Sequence, residues 1–209
     1  MKTFGDIGKF GIRYHLSPNP FNEVGIYGKS WGQFELWVEG KDICKYEING
    51  SIFSYQWNLL NIAEYFCINL KYVIHEQTFP LPVSGNDALE LVSNSHSYLN
   101  KLENIYDAFE IFQDWEFRHS WFSSRAGSYL PNVYFRLKDE LVEVSWCNSN
   151  IYKKDSIQFL HSTGSVVIEK DSFISLINEF VNSLFDDLFI DFPNAPTLVE
   201  LKNELSNSL

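Results

Sequence analysis

FQDWEFRHSWFSSRAGSYLPNVYFRLKDELVEVSW, residues 112–146, changes its rhythm in the middle, and that change decides the fold class. On a helix running from about residue 106 to 122, Ala108, Ile111, Phe112, Trp115, His119 and Phe122 share one face. SSRAGSYLP then breaks the helix, with Gly127 and Pro131. Beyond it the period falls to two. Val133, Phe135 and Leu137 alternate with Asn132, Tyr134 and Arg136, KDE makes a turn, and Val142, Val144 and Trp146 line one face of a return strand. A helix that feeds a hairpin points to antiparallel sheets and an α+β fold.

The neighbouring stretches agree with that class. Residues 34–38 and 43–48 read as two strands around EGKD, and the Asn49-Gly50 turn introduces a third, SIFSY. SPNPF at 17–21 is a loop. Over 55–78, Leu59, Ile62, Ala63, Phe66, Leu70 and Val73 make one apolar helical face, with Ser54 as its expected cap and FPLP as its stop. Asn86 or Asp87 caps a short helix through Ser93, and NSHSYLNKLEN reads as a connector or loose helix. SIQFLHSTGSVVIEK reads as a second hairpin, 157–161 against 165–169, turning at Thr163-Gly164. A helix over 171–189, capped by Asp171 or Ser172, buries Phe173, Ile174, Ile177, Phe180, Val181, Leu184 and Leu188. The expectation is an α+β fold of antiparallel hairpins and about three amphipathic helices. It forms a single body over 1–190 with an N-terminal β subdomain at 1–53, followed by an acidic tail or short, weakly docked helix over 191–209.

DWEFRHSW, residues 114–121, concentrates carboxylates, an arginine and a histidine. Helical spacing sets His119 against Trp115, and pairs Asp114 with Arg118 on the surface. That is an amphipathic scaffold. A catalytic role would need a nucleophile or carboxylate beside His119, and the spacing supplies none. Other chemistries fail on their motifs. HEQTF at 75–79 begins like a zinc-protease helix but has Phe79 where the second histidine belongs. There is no C-x-x-C, and His15, His75, His96, His119 and His161 are widely spaced. The glycines of FGDIGKFG match neither a phosphate loop nor a dinucleotide fingerprint, and no G-x-S-x-G occurs. Cys147 is expected to be an exposed, inert thiol. No catalytic residue, metal or cofactor is expected.

The net charge is −11, and its placement is uneven. Residues 86–118 carry seven acids against Lys101 and Arg118, and residues 169–209 carry eight against Lys170 and Lys202. Such a surface repels nucleic acid and anionic membranes and steers basic partners. The acids expected to meet a partner are Glu103, Asp107, Glu110, Asp114, Glu116, Asp186, Asp187 and Asp191. No stretch reaches the length of a transmembrane helix, the start lacks an apolar signal core, and the three scattered cysteines suit a reducing cytoplasm.

Three stretches taken together carry a family resemblance: YQWNLLNIAEYFCINLKYVIHEQTFPLP, the 112–146 segment, and the helix after GSVVIEKDSF. Over roughly 30–185 they resemble the accessory segment ahead of the zinc-peptidase domain in some bacterial proteins of the ImmA/IrrE type. The peptidase half is missing, so the resemblance implies a sensing or binding module of the stress and defence world and carries over no catalytic residue. The leading expectation is a non-enzymatic immunity- or antitoxin-type inhibitor that neutralises a basic protein such as a toxin. The alternatives are a small-ligand or stress-sensing regulatory module with a pocket at Arg118, His119 and Arg125, an acidic nucleic-acid mimic, and an enzyme of unrecognised type built on His119.

Overall fold

The computed structural model describes residues 1–208. The N-terminal sheet is antiparallel. β1 (Lys2–Asp6) and β2 (Phe10–Leu16) form a hairpin closed by the Lys9 amide on the Asp6 carbonyl. A short α1 (Gly25–Lys29) leads into β3 (Trp31–Val38), which pairs with β2. Phe10, Ile12 and Tyr14 face inward beside Phe34, Leu36 and Val38, the alternation that a half-buried sheet requires. The strand expected at 43–48 is shortened to β5 (Tyr46–Ile48), which joins β6 (Ser51–Phe53) in another sheet, while β4 (Lys41–Asp42), inside the expected EGKD turn, pairs with β3. The cause is local: the Asp42 carboxylate accepts the Cys44 amide at 3.0 Å, which bends the chain after two paired residues. The Asn49-Gly50 turn forms as expected, with φ of 51° and 82°.

β7 (Gln56–Asn58) returns to β3 and postpones the next helix, α2 (Leu60–His75). Ser54 is therefore not its cap. Ser30 takes that role from across the turn, where its hydroxyl accepts the Leu60 amide at 3.2 Å and its carbonyl the Leu59 amide at 2.8 Å. Next come α3 (Ala88–Leu99) and α4 (Tyr106–His119), the latter followed by a 3-10 turn, Trp121–Arg125. α3 starts where expected, because Asp87 accepts the Glu90 amide and Glu90 reaches back to the Asn86 amide. It runs past Ser93 to Leu99, so the polar NSHSYL stretch is helical. α4 stops at His119, three residues before Phe122.

The C-terminal sheet holds β8 (Tyr134–Lys138) and β9 (Leu141–Cys147), the hairpin read from the 112–146 stretch. The second expected hairpin does not form. β10 (Ile157–Phe159) pairs with β5, and β11 (Thr163–Glu169) pairs with β9, giving the order β11-β9-β8. Gly164 is there for contact, not for turning: a Cβ on it would lie 2.4 Å from Cζ2 of Trp146. α5 (Lys170–Asp191) follows, and neither Asp171 nor Ser172 caps it, since its N-terminus has no side-chain cap. α6 (Pro196–Asn207) occupies the segment read as a weakly docked tail. It buries Leu198, Leu201 and Leu205 and packs along α2.

The fold is α+β, with six helices among the described residues where about three were expected. α2 is the axis, buried on nearly every side by α4, α5, α6, β8 and the 3-10 turn. Trp121, fully buried, joins the layers through Phe34, Phe66 and Phe135 at ring separations of 5.2 to 6.1 Å. No described helix is long and apolar enough to cross a membrane.

Candidate functional site

α4 has two faces. Its inner face is Phe112, Trp115 and His119, all buried. The Trp115 and His119 rings stack at 4.6 Å with 24° between planes, the meeting that four-residue spacing predicts. Tyr134 stacks on the other side of Trp115, and its hydroxyl donates to Glu116 at 2.8 Å.

At the C-terminal end of α4, Arg118 does not pair with Asp114. It reaches Glu76, the residue just after α2, through Nε and Nη2 at 3.1 and 2.8 Å, and its guanidinium lies over the Tyr72 ring. Bidentate geometry with an aromatic floor outcompetes a single contact along the same helix. His119 shares the same carboxylate: Nε2 lies 3.1 Å from Glu76 Oε2, and Nδ1 lies 2.7 Å from the Phe135 carbonyl. Burial alone would raise the Glu76 carboxyl. Hydrogen bonds and positive charge from His119 and Arg118 more than offset it and hold the group down to about 2. The Phe135 carbonyl only accepts, so Nδ1 donates to it, and Nε2 faces the Glu76 carboxylate.

Sequence reasoning missed Glu76. It stands in HEQTF, a stretch that resembles a metal motif, and lies 42 residues from Arg118 with no periodicity to link them. A carboxylate beside a histidine is the pairing an enzyme would use. This one is closed: His119 is 0% exposed and both its nitrogens are engaged. It locks α2, α4 and β8 together. Two of the three thiols offer no accessible nucleophile. Cys44 and Cys67 are buried, and burial pushes the Cys67 thiol up to about 12. Cys147 is exposed, as expected. Among the described residues no three histidine, cysteine or carboxylate side chains converge for a metal.

The outer face of α4 is different. Tyr106 is 81% exposed, and Ile105, Phe109, Ile111 and Phe117 are exposed with it. Asp107, Glu110 and Asp114 lie among them, with Glu103 just ahead of the helix, all exposed. Among the described residues none of these four acids has a cationic side chain within 4 Å. Helical spacing puts Tyr106, Glu110 and Phe117 on one outward line with Asp114 and Asp107 at its flank. Large apolar side chains clustered on a surface and rimmed by charge mark an interaction site.

The acids of α5 are used otherwise. Asp187 bonds to Lys2 at 2.6 Å and accepts from the Tyr14 hydroxyl at 2.8 Å, and Asp191 pairs with Lys29 at 3.1 Å. Asp186 alone of the three stays exposed without an ion pair among the described residues. The eight candidate acids are thus divided between internal ties and a free surface. Arg125 sits apart from the Glu76 lock, its guanidinium over the Phe122 and Tyr152 rings. A hollow of about 670 Å3 lies elsewhere, along β11, and Arg118, His119 and Arg125 do not line it.

No protein-family model matches the chain, and no curated protein matches it significantly. Among solved structures it is similar to CdiI from Burkholderia dolosa AUO158, with a TM-score of 0.47 and 12% identity over 87% of this chain and 99% of that one.

Proposed function

We propose that this chain is a non-enzymatic binding protein of the cytoplasm, an immunity- or antitoxin-type inhibitor that covers the basic functional surface of a protein partner such as a bacterial toxin. The observation that carries this reading is the outer face of α4, where exposed Tyr106, Phe109, Ile111 and Phe117 alternate with acids that have no internal cation. Aromatic anchors supply the holding energy of an interface, and like-signed charge around them speeds encounter with a partner of opposite sign. The chain's charge of −11 acts in the same direction. The closed Glu76, His119 and Arg118 cluster supports a scaffold role for the inner face.

Capture on the immobilised chain from a lysate of its own host, followed by co-expression, tests the proposal. A basic protein should be retained that arrests growth when expressed alone and is neutralised by this chain. Asp107→Asn, Glu110→Gln and Asp114→Asn together should slow its association by about tenfold at low salt and flatten the salt dependence. Tyr106→Ser with Phe117→Ser should abolish neutralisation. Retention and neutralisation indifferent to both sets of changes would refute the reading.

A further inference from the structure

β11 is an edge strand. Its sheet runs β11-β9-β8, and no described strand lies beyond β11. The phase of its backbone can be fixed. The Asn148 amide donates to the Ser162 carbonyl at 2.6 Å, and this pair continues the register in which Thr163 faces Cys147. Antiparallel pairs alternate between bonded and non-bonded positions. Gly164, Val166 and Ile168 therefore turn their backbone groups toward β9, while Thr163, Ser165 and Val167 turn theirs away. Among the described residues those three have no other backbone partner. A row of outward amides and carbonyls is a template for another strand.

The edge also has a groove beside it. A hollow of about 670 Å3 lies between β11 and the turn that joins β1 to β2, with Leu176 of α5 and Phe10 giving it an apolar lining. Smaller hollows of about 410 and 320 Å3 share Glu39 with it and continue along β11 past Ser165 to Thr163. The charged side chains of the main hollow are Asp6, Glu39 and Glu169 against Lys9. Neither Glu39 nor Glu169 has an ion-pair partner among the described residues. Val167, 53% exposed, leaves an apolar side chain in solvent midway along the edge.

We propose that the open edge of β11 docks an extended segment of a partner protein, which pairs with it as a fourth strand. The segment alternates apolar residues, seated toward Phe10 and Leu176, with basic residues beside Glu39 and Glu169. Backbone bonds supply the affinity in this mode and alternate side chains the selectivity. The charge decides against a second copy of this chain, which brings the same unpaired acids and a further −11. The site shares no residue with the outer face of α4 and does not depend on the function proposed for that face.

Hydrogen exchange on the free chain is the first check. The amides of Gly164, Val166 and Ile168 should be protected, while those of Ser165 and Val167 exchange about a hundredfold faster or more. The binding probe is the synthetic hexapeptide Lys-Val-Lys-Val-Lys-Val. At about 1 mM it should slow exchange at Ser165 and Val167 by about tenfold, an affinity typical of a short unconstrained strand. Val167→Pro removes an outward amide and spares the β9 ladder, so the fold should persist and the peptide should no longer bind. Ser165→Pro has the same phase and replaces it if the first variant unfolds. Protection of Ser165 and Val167 in the free monomer, failure of the peptide to protect them, or undiminished binding to the proline variant would overturn the proposal. So would a dimer in sedimentation whose β11 amides are protected, which would assign the edge to self-pairing.

Discussion

α4 and α5 are both acidic helices, and α5 ties two of its five acids to distant lysines whereas α4 ties none. α5 has 22 residues, eight of them buried, and two acids near its end are tied to Lys2 and Lys29. α4 has 14 residues, three of them buried, and its outward acids have no cationic side chain within 4 Å among the described residues. Charge counting treats the two segments alike. What separates them is whether a lysine from a distant part of the chain lies opposite. Lys2 and Asp187 are 185 residues apart, so no local pattern reveals the tie. An acid committed to its own fold contributes little to recognition. An acid left unpaired beside exposed aromatics is available to a partner, and that is why the proposed interface is placed on α4.

The contrast breaks most visibly at the rings. Phe180 of α5 packs edge-on against Phe4, Tyr14 and Phe34 at 5.6 to 6.3 Å. Phe180→Ala should cost about 3–5 kcal/mol, as lost transfer energy and a cavity add. Tyr106→Ser on α4 should stay within about 0.5 kcal/mol, as expected of a residue that touches little of its own fold. Urea unfolding of both measures the difference. A large loss at Tyr106 would mean that the outer face of α4 is structural after all.

The lock under α4 comes next in size. Glu76→Gln removes the charge that the Arg118 guanidinium and the His119 ring share and should cost about 2–3 kcal/mol, since a partly buried guanidinium loses its charged partner. The pH dependence has a definite sign. The Glu76 carboxyl is held at about 2 when folded against an ordinary 4.5, so the unfolded chain takes up the proton first. Its contribution is complete above pH 4.5 and is lost as pH falls from there toward 2. The Gln variant should lose that part of the acid sensitivity. If wild type and variant share one acid-unfolding profile, Glu76 does not carry the lock.

Local rules recovered what local physics controls. The β8–β9 hairpin, the Asn49-Gly50 turn, the α3 cap and most of the α4 stripe depend on residues within a few positions of one another and follow from spacing, but Ile111, expected on the buried stripe, is exposed on the outer face. Failures came where a distant group overrides a near one. Ser30 displaces Ser54 as the cap of α2, Trp146 claims Gly164 for its ring, and Lys45 holds the Leu160 amide so that β10 joins β5. The candidate site divides the same way. The exposed acids and aromatics of α4 follow from the helical period. Glu76 as partner of His119, and Lys2 as partner of Asp187, require the tertiary fold. The open edge of β11 is not legible locally, because the neighbouring run expected to pair with it joins β5 instead.

The smallest expected effect is the most direct test of the comparison. Asp187→Asn keeps the shape and an acceptor for the Tyr14 hydroxyl but loses the attraction to Lys2, whose side chain is partly exposed. A partly screened pair that also accepts a hydroxyl should be worth about 1 kcal/mol, less at high salt. Asp114→Asn should leave the unfolding midpoint unchanged, because no cation lies within 4 Å of that carboxylate among the described residues. The reverse should hold for association: Asp114→Asn slows capture of a basic partner and Asp187→Asn does not. Each acid then has one measurable role, and a variant that moved both quantities equally would dissolve the division between the helix that is tied down and the helix that is left free to recognise.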